Sequence, residues 1–468
     1  MFSEIYRRFI ASILSFFMSF SVFCGGSDRT APDLALDRIT QYSGGVCAAQ
    51  LYDAGSGSEP DWKDASADNN HYVQAVSSTT DAEFDAYRQK LRDAGWQEIF
   101  YNLIETSRFY AYRKGDQQIY MSFCGRTGEA RLMDDSCSLD LGSFGYTTND
   151  AGAATVYQFG FPYYDKKEHK NNDLYANNGM LYVIRLPDNK VVIIDGGQLK
   201  QATEANVNAF ADFLHRITGT ASGEKINVAM WYGTHAHSDH IVFMSRLIQE
   251  HRNELNIERF AYNYASYATL PYTHYADWFR QQVELNFPGA KYVKIRSGCE
   301  FTLSNVQFEV LMTHEDLISA ETGAFPETAD KDPLNICSCV LKVTSKGKAF
   351  LFLGDMDQLL ADTFMKHYTA DTVGTDVLQG AHHMYNNLPT VYAAAAPSIV
   401  MAPQSKSYCT GSMKSYKTLL KYTGADNFYF ASEGTYGFTP TADGIAVSFE
   451  PLVCTAYDGK GFSYDFLS

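Results

Sequence analysis

The window His235-Ala236-His237-Ser238-Asp239-His240 constrains this chain more than any other stretch. It holds three of the twelve histidines, with an aspartate among them. Imidazole nitrogens and carboxylate oxygens are ligands that borderline divalent metals such as zinc accept. Residues two apart leave an extended backbone on the same side, so His235 and His237 can share one point. Asp239 and His240 are adjacent and can diverge at the following turn toward a second point. The flanks show how the window is mounted. Residues 226–231 (INVAMW) read as a buried strand, and Gly233-Thr234 turn the chain. Ile241-Val242-Phe243-Met244 and Leu247-Ile248 then have helical spacing. Strand, ligand loop and helix make a rigid mount for two metal ions. A chance cluster of surface histidines would not account for that order.

Other stretches repeat the theme of an apolar strand ending in a polar side chain. Val191-Val192-Ile193-Ile194 runs into Asp195-Gly196-Gly197, and Phe350-Leu351-Phe352-Leu353 into Gly354-Asp355. Asp376-Val377-Leu378-Gln379-Gly380-Ala381 ends in His382-His383. Residues 306–310 (VQFEV) alternate and lead to His314.

H-x-H-x-D-H after a strand resembles the signature of the metallo-β-lactamase-fold hydrolases. Asn335-x-x-Ser338 and the Asp376…His382-His383 run resemble the branch related to DNA-uptake ComEC proteins, and the motif spacing is similar to that of choline-phosphate esterases. The resemblance covers roughly residue 155 to the C-terminus. It implies an α/β fold, a four-layered αββα metallo-β-lactamase sandwich, beside a small N-terminal α+β domain. It also implies a ligand set. Metal one takes His235, His237 and His314; metal two takes Asp239, His240 and His383; Asp355 bridges; Asp195 supports the loop without being a ligand. His382 then faces the substrate or donates a proton, with Tyr385 as an alternative donor; the reverse assignment of His382 and His383 is the alternative. The family continues H-H-G, whereas Met384 follows here. Two divalent ions are expected, Zn2+ by default and Mn2+ or Fe as alternatives. Such a pair acidifies a shared water for attack on phosphorus or carbonyl. The motif set points to a phosphoester, small or polymer-linked, with a lactam, lactone or thioester as the alternative. A non-catalytic binding protein would not need the full donor set.

The chain has 468 residues, enough for two domains and a sizeable core. Its net charge of −16 argues against general nucleic-acid binding but not against a phosphoester docking at local cations. Arg7-Arg8 precede fifteen mostly apolar residues, 9–23, and then Cys24-Gly25-Gly26. This pattern reads as a signal peptide over 1–26, hence a secreted or cell-surface protein. An uncleaved or lipid anchor is the alternative, and membrane contact is expected only there. Nine cysteines suit an exported protein; Cys124 and Cys137 are close enough to pair, and Cys337 and Cys339 face one way on a strand.

Residues 27–150 form the expected small α+β domain, with 151–468 as the hydrolase. Thr80-Asp81-Ala82-Glu83 marks a helix start, and Phe84, Tyr87, Leu91 and Trp96 have near-helical spacing. Residues 108–113 and 118–123 read as strands, 55–70 as a loop, and 139–154 as a linker. In the second domain, Val207, Phe210, Leu214 and Ile217 share a helix face.

Overall fold

The computed structural model describes residues 46–51, 72–115, 117–134, 144–161, 179–198, 201–221, 223–264, 279, 282–283, 285–319, 326 and 333–451. The expected signal segment, the 55–70 loop and Cys137 lie outside them.

Pro187-Asp188-Asn189-Lys190 closes a hairpin between Leu181–Arg185 and Val191–Asp195, as its composition predicts. Asn189 takes the positive φ the turn needs, and the Asp188 carboxylate accepts the Lys190 N–H at 3.3 Å. Beyond the hairpin the chain runs parallel. Val191–Asp195, Ile226–Gly233, Arg259–Tyr262 and Lys291–Lys294 lie side by side, so their C-terminal ends share one edge. A parallel crossover needs a connecting element, and the helix Glu204–Thr218 supplies the first. Its Thr203 side chain caps the N-terminus, and Gly219 ends it at φ 71°. These strands belong to a nine-stranded sheet closed on the other side by Thr155–Gln158, Gly434–Thr441 and Gly444–Pro451.

Alternation along the strands separates two cores. Leu181, Val183, Val191 and Ile193 pack with Val207, Phe210 and Leu214 and with the helix Ser238–His251. Tyr182, Ile184, Val192 and Ile194 pack against a seven-stranded sheet, with the Tyr182 and Phe352 rings 5.3 Å apart. That second sheet runs antiparallel through Val306–Met312, Val340–Ser345 and Lys348–Phe352, then parallel through Val377–Gln379 and Ile399–Ala402. Its crossover helices, Gln358–His367 and Pro389–Ala395, bury Leu360, Phe364, Val391 and Tyr392. One face of this sheet is taken by its partner sheet, so these helices cover the other. The layers are therefore helix, sheet, sheet, helix, the four-layered αββα arrangement that the resemblance implies.

The N-terminal residues build a six-stranded antiparallel sheet. The helix Asp81–Asp93 starts at a Thr80/Glu83 capping box and lays Phe84, Tyr87 and Leu91 on one face of the sheet with Tyr112 and Phe123. Trp96 joins that core from beyond the helix. The opposite face merges with the sandwich. Ile104, Phe109, Ala111, Tyr120 and Met133 share a single cluster with Ile295, Cys299 and Leu303. Tyr120 donates to the Ser297 carbonyl at 2.7 Å, and Arg131 to the carbonyls of Glu315, Asp316 and Ile318 at 3.1, 2.9 and 3.1 Å. The expected linker is anchored where it is described: Phe144 is buried edge-on to Phe301, and Tyr146 bridges Leu303.

Cys124 is buried with a free thiol, and its expected partner Cys137 lies outside the described residues. One cysteine expectation is corrected. Cys337 closes the turn Pro333–Cys337 and Cys339 precedes the strand Val340–Ser345, so they do not share a strand; both are buried. No helix among the described residues is long and apolar enough to cross a membrane.

Candidate metal centre

Parallel strands deliver the centre's first half at one sheet edge. Asp195 ends its strand at φ 59°, a left-handed conformation that Asp tolerates better than most residues. There its carboxylate accepts the Thr234 N–H and hydroxyl, both at 2.8 Å, and lies 2.7 Å from His240 Nδ1. Gly196 is required beside it, because a Cβ there would overlap the Met244 side chain. Asp195 thus locks the start of the ligand loop to its end. His237 is the N-cap of the helix Ser238–His251, which places Asp239 and His240 in the first turn. His235 Nε2 and His237 Nδ1 meet at 2.9 Å, as the two-residue spacing predicts.

The second sheet delivers the other half. Gly354 at φ 57° turns the chain after Lys348–Phe352, and the Asp355 N–H donates to Ser338 Oγ at 3.0 Å. Asp355 Oδ1 lies 3.3 Å from His240 Nε2. Its Oδ2 lies 3.5 Å from His383 Nε2, 3.6 Å from His382 Nε2 and 3.8 Å from His235 Nε2. Asp239 Oδ2 is 3.1 Å from His383 Nε2. Two donor groups result, each with its atoms within 4.8 Å of one another. One is Asp239, His240, Asp355 and His383; the other is His235, His237 and Asp355. Asp355 belongs to both.

The electrostatics follow from burial and pairing. His235 is buried, and burial followed by the neighbouring His240 pushes its pKa well below the ordinary range. Burial also opposes charge on His240, but Asp355 and Asp195 overcome it and raise that imidazole well above the ordinary value. His383 behaves likewise and is raised to about 9 by Asp355 and Asp239 against its burial. The carboxylates respond in kind. Burial works against both; His383 and His240 nevertheless bring Asp239 to about 2, and His240 and His383 hold Asp355 well below the carboxylate range.

This donor set fits metal ions. His240 Nε2, His383 Nε2 and Asp355 Oδ1 are buried without a hydrogen-bond partner, although they crowd together. Buried polar atoms are otherwise almost always paired, and an ion is the partner such a convergence accommodates. The His240–Asp195 contact holds a proton on Nδ1, so an ion at the centre would need to displace only the Nε2 proton to gain that lone pair.

His314 is brought into neither group. It begins the short turn His314–Leu317, where its Nδ1 is 3.8 Å from Glu315 Oε2. Glu315 is clamped by Arg296 at 2.7 Å and by Asn263 at 2.7 Å, and Thr313 with Asp316 forms a capping box. That network fixes the turn beneath the N-terminal sheet. His382 stands beside the centre with a 28 % exposed side chain, and Tyr385 packs 5.5 Å from it, ring to ring. His382, His383 and Met384 all have positive φ, 47°, 49° and 66°. Met384 therefore occupies the backbone conformation a glycine would adopt freely, and its side chain is fully buried.

Three residues that hold the centre together were not singled out in the sequence. Gln379 accepts the Leu353 N–H at 2.7 Å and donates to the Gly354 carbonyl at 3.0 Å, tying the Asp355 loop to the next strand. Thr234 is the anchor on which Asp195 acts. Gln404 donates to the His383 carbonyl at 3.4 Å. None has a local pattern, because each acts through a partner far along the chain.

No protein-family model matches the chain, and comparison with curated proteins finds no match. Among solved structures it is similar to the metallo-β-lactamase fold protein YhfI from Bacillus subtilis: 12 % identity over 61 % of this chain and 99 % of that one, TM-score 0.35. Zn(2+)-bound PqqB from Methylobacterium extorquens gives 9 % identity over 60 % and 99 %, TM-score 0.38. CmlA, a diiron β-hydroxylase from Streptomyces venezuelae, gives 10 % over 74 % of each chain, TM-score 0.31.

Proposed function

We propose that this chain is an exported metal-dependent hydrolase of phosphoesters, small or polymer-linked. The observation that carries the metal dependence is Asp355, whose two oxygens reach into both donor groups. His235, His237 and Asp355 would hold one ion, and Asp239, His240, Asp355 and His383 the other, with zinc the default for these ligands. Bound there, two divalent ions supply an acidified water and charge neutralisation at substrate oxygens.

The chain's own residues do the rest. Burial keeps His235 neutral, so its ring nitrogen stays available as a donor. Asp195 fixes the ring plane and tautomer of His240. His382, partly open to solvent and next to Asp355, holds the proton that the leaving oxygen takes. Hydrolysis then adds one water across the P–O bond, with hydroxyl to phosphorus and a proton to the leaving group. The choice of a phosphoester is supported by the resemblance of Asn335-x-x-Ser338 and Asp376…His382-His383 to the ComEC-like branch. Export is supported by the basic and then apolar pattern of residues 7–23.

Metal quantification on wild type and Asp239→Ala, with bis-p-nitrophenyl phosphate and nitrocefin as substrates, tests this reading. The expected result is up to two divalent ions per wild-type chain, turnover of the phosphodiester alone, and loss of both metal and rate in the variant. Turnover of nitrocefin alone moves the reading to a lactam hydrolase. A variant that keeps full metal and full rate removes Asp239 from the centre.

A further inference from the structure

We infer that Tyr385 and Tyr408 form an aromatic subsite at the mouth of the centre, which receives a flat ring carried by the substrate; this rests on the hydrolase reading above. The two rings are 46 % and 39 % exposed, whereas Tyr182, Tyr232 and Tyr392 near the same sheets are fully buried. Tyr385 sits against the tandem histidines, and Tyr408 against Tyr385. The Tyr385 ring centroid is 5.5 Å from that of His382 and 6.4 Å from that of His383, and Tyr408 lies 6.0 Å beyond Tyr385 at 68°.

Both rings are rigidly mounted, and from different elements. The Tyr385 N–H donates to the His382 carbonyl at 2.7 Å, closing the left-handed turn. Tyr408 stands on the helix Lys406–Ser412, capped by Ser405. Gln404, just ahead of that helix, bonds to His383. Gln404 thus joins the metal-proximal turn to the start of the helix that carries Tyr408.

Apolar rings left in water gain by covering one another's faces and edges at centroid separations of about 4.5–7 Å. A third ring can complete the arrangement begun by the Tyr385–Tyr408 pair. At half-exposed rings a cation gains little. A flat ring also removes its own apolar faces from water, so it is the better occupant. Its hydrolysable group would then lie on the His382 side.

Calorimetric titration of the zinc-loaded chain with phenylphosphonate, methylphosphonate, benzoate and acetate tests the subsite without turnover. In wild type the ring-bearing probe of a pair is expected to bind about tenfold more tightly than its methyl counterpart. Tyr408→Ala should bring that ratio toward one at unchanged zinc content. Tyr408→Phe, which keeps the ring, should restore it. A wild-type ratio near one, a ratio that Tyr408→Ala leaves intact, or no binding of any probe overturns the inference. A ring preference for benzoate with no phosphonate binding keeps the subsite and removes the phosphoester reading.

Discussion

Asp195 is buried and belongs to neither donor group, yet it ties together Thr234, 39 residues further on, and His240, 45 residues further on. Outer-shell carboxylates of this kind set ligand basicity and orientation, and losing one costs about 10–100-fold in metal affinity. Asp195→Asn keeps the side-chain shape and tolerates φ 59°, so it isolates the charge. Competition with a chelator should show zinc affinity lower by about that factor, with the fold retained. Unchanged affinity would make Asp195 a backbone anchor only. Met384 poses the opposite question, strain against packing. A non-glycine residue in the left-handed region costs about 1–2 kcal/mol, whereas truncating a buried Met costs about 2–5 kcal/mol. Packing wins, so Met384→Gly should destabilise the chain by roughly 1–3 kcal/mol in denaturant unfolding, although the backbone gains freedom. Higher stability in the variant would show that strain dominates in this turn.

Among the elements, those whose signal is local could be read from the sequence. The 187–190 turn, the strand Ile226–Gly233 and the helix Glu204–Thr218 each carry their periodicity and caps within a few residues. The ligand loop was legible for the same reason, since His235, His237, Asp239 and His240 are contiguous. His314 shows where such reading stops. Position along the chain suggested a ligand, but Glu315 and Asp316 engage Asn263, Arg296 and Ser297 on other elements, and His314 joins neither donor group. His367, at the end of the helix Gln358–His367, lacks any motif and turns out to be buried. Burial first, and then the charge of Arg131, depress its pKa from 6.5 to about 3. The sign follows. Between these values the unfolded chain binds the proton and the folded chain does not, so stability falls as pH drops below 6.5. The slope is on the order of 1 kcal/mol per pH unit. His367→Phe should remove it, so the variant gains relative to wild type on going from about pH 7.5 to about pH 5 in urea unfolding. An equal difference at both pH values would mean that His367 does not titrate in this window.

At the scale of the whole molecule, the six-stranded sheet and the sandwich share one core rather than an interface of polar rims. Ile104, Phe109, Tyr120 and Met133 are buried against the sandwich, and each contributes roughly 1.5–3 kcal/mol by its burial. Together that is on the order of 10 kcal/mol, comparable with the roughly 5–15 kcal/mol that separates a folded domain from its unfolded chain. Gly298, at φ 83°, makes the approach possible, because a Cβ there would overlap the Phe109 ring. Arg131 adds three hydrogen bonds to the turn at 314–318. The two parts should therefore unfold together. Calorimetry on the full chain is expected to give a single transition, and Phe109→Ala should lower it by the equivalent of about 3–5 kcal/mol without splitting it. Deleting residues 27–150 should leave a sandwich that exposes this apolar face and fails to stay soluble. Two resolved transitions, or a soluble and metal-competent 151–468 fragment, would instead make the N-terminal sheet an appendage, and its role would have to be sought in docking rather than in holding the turn at 314–318.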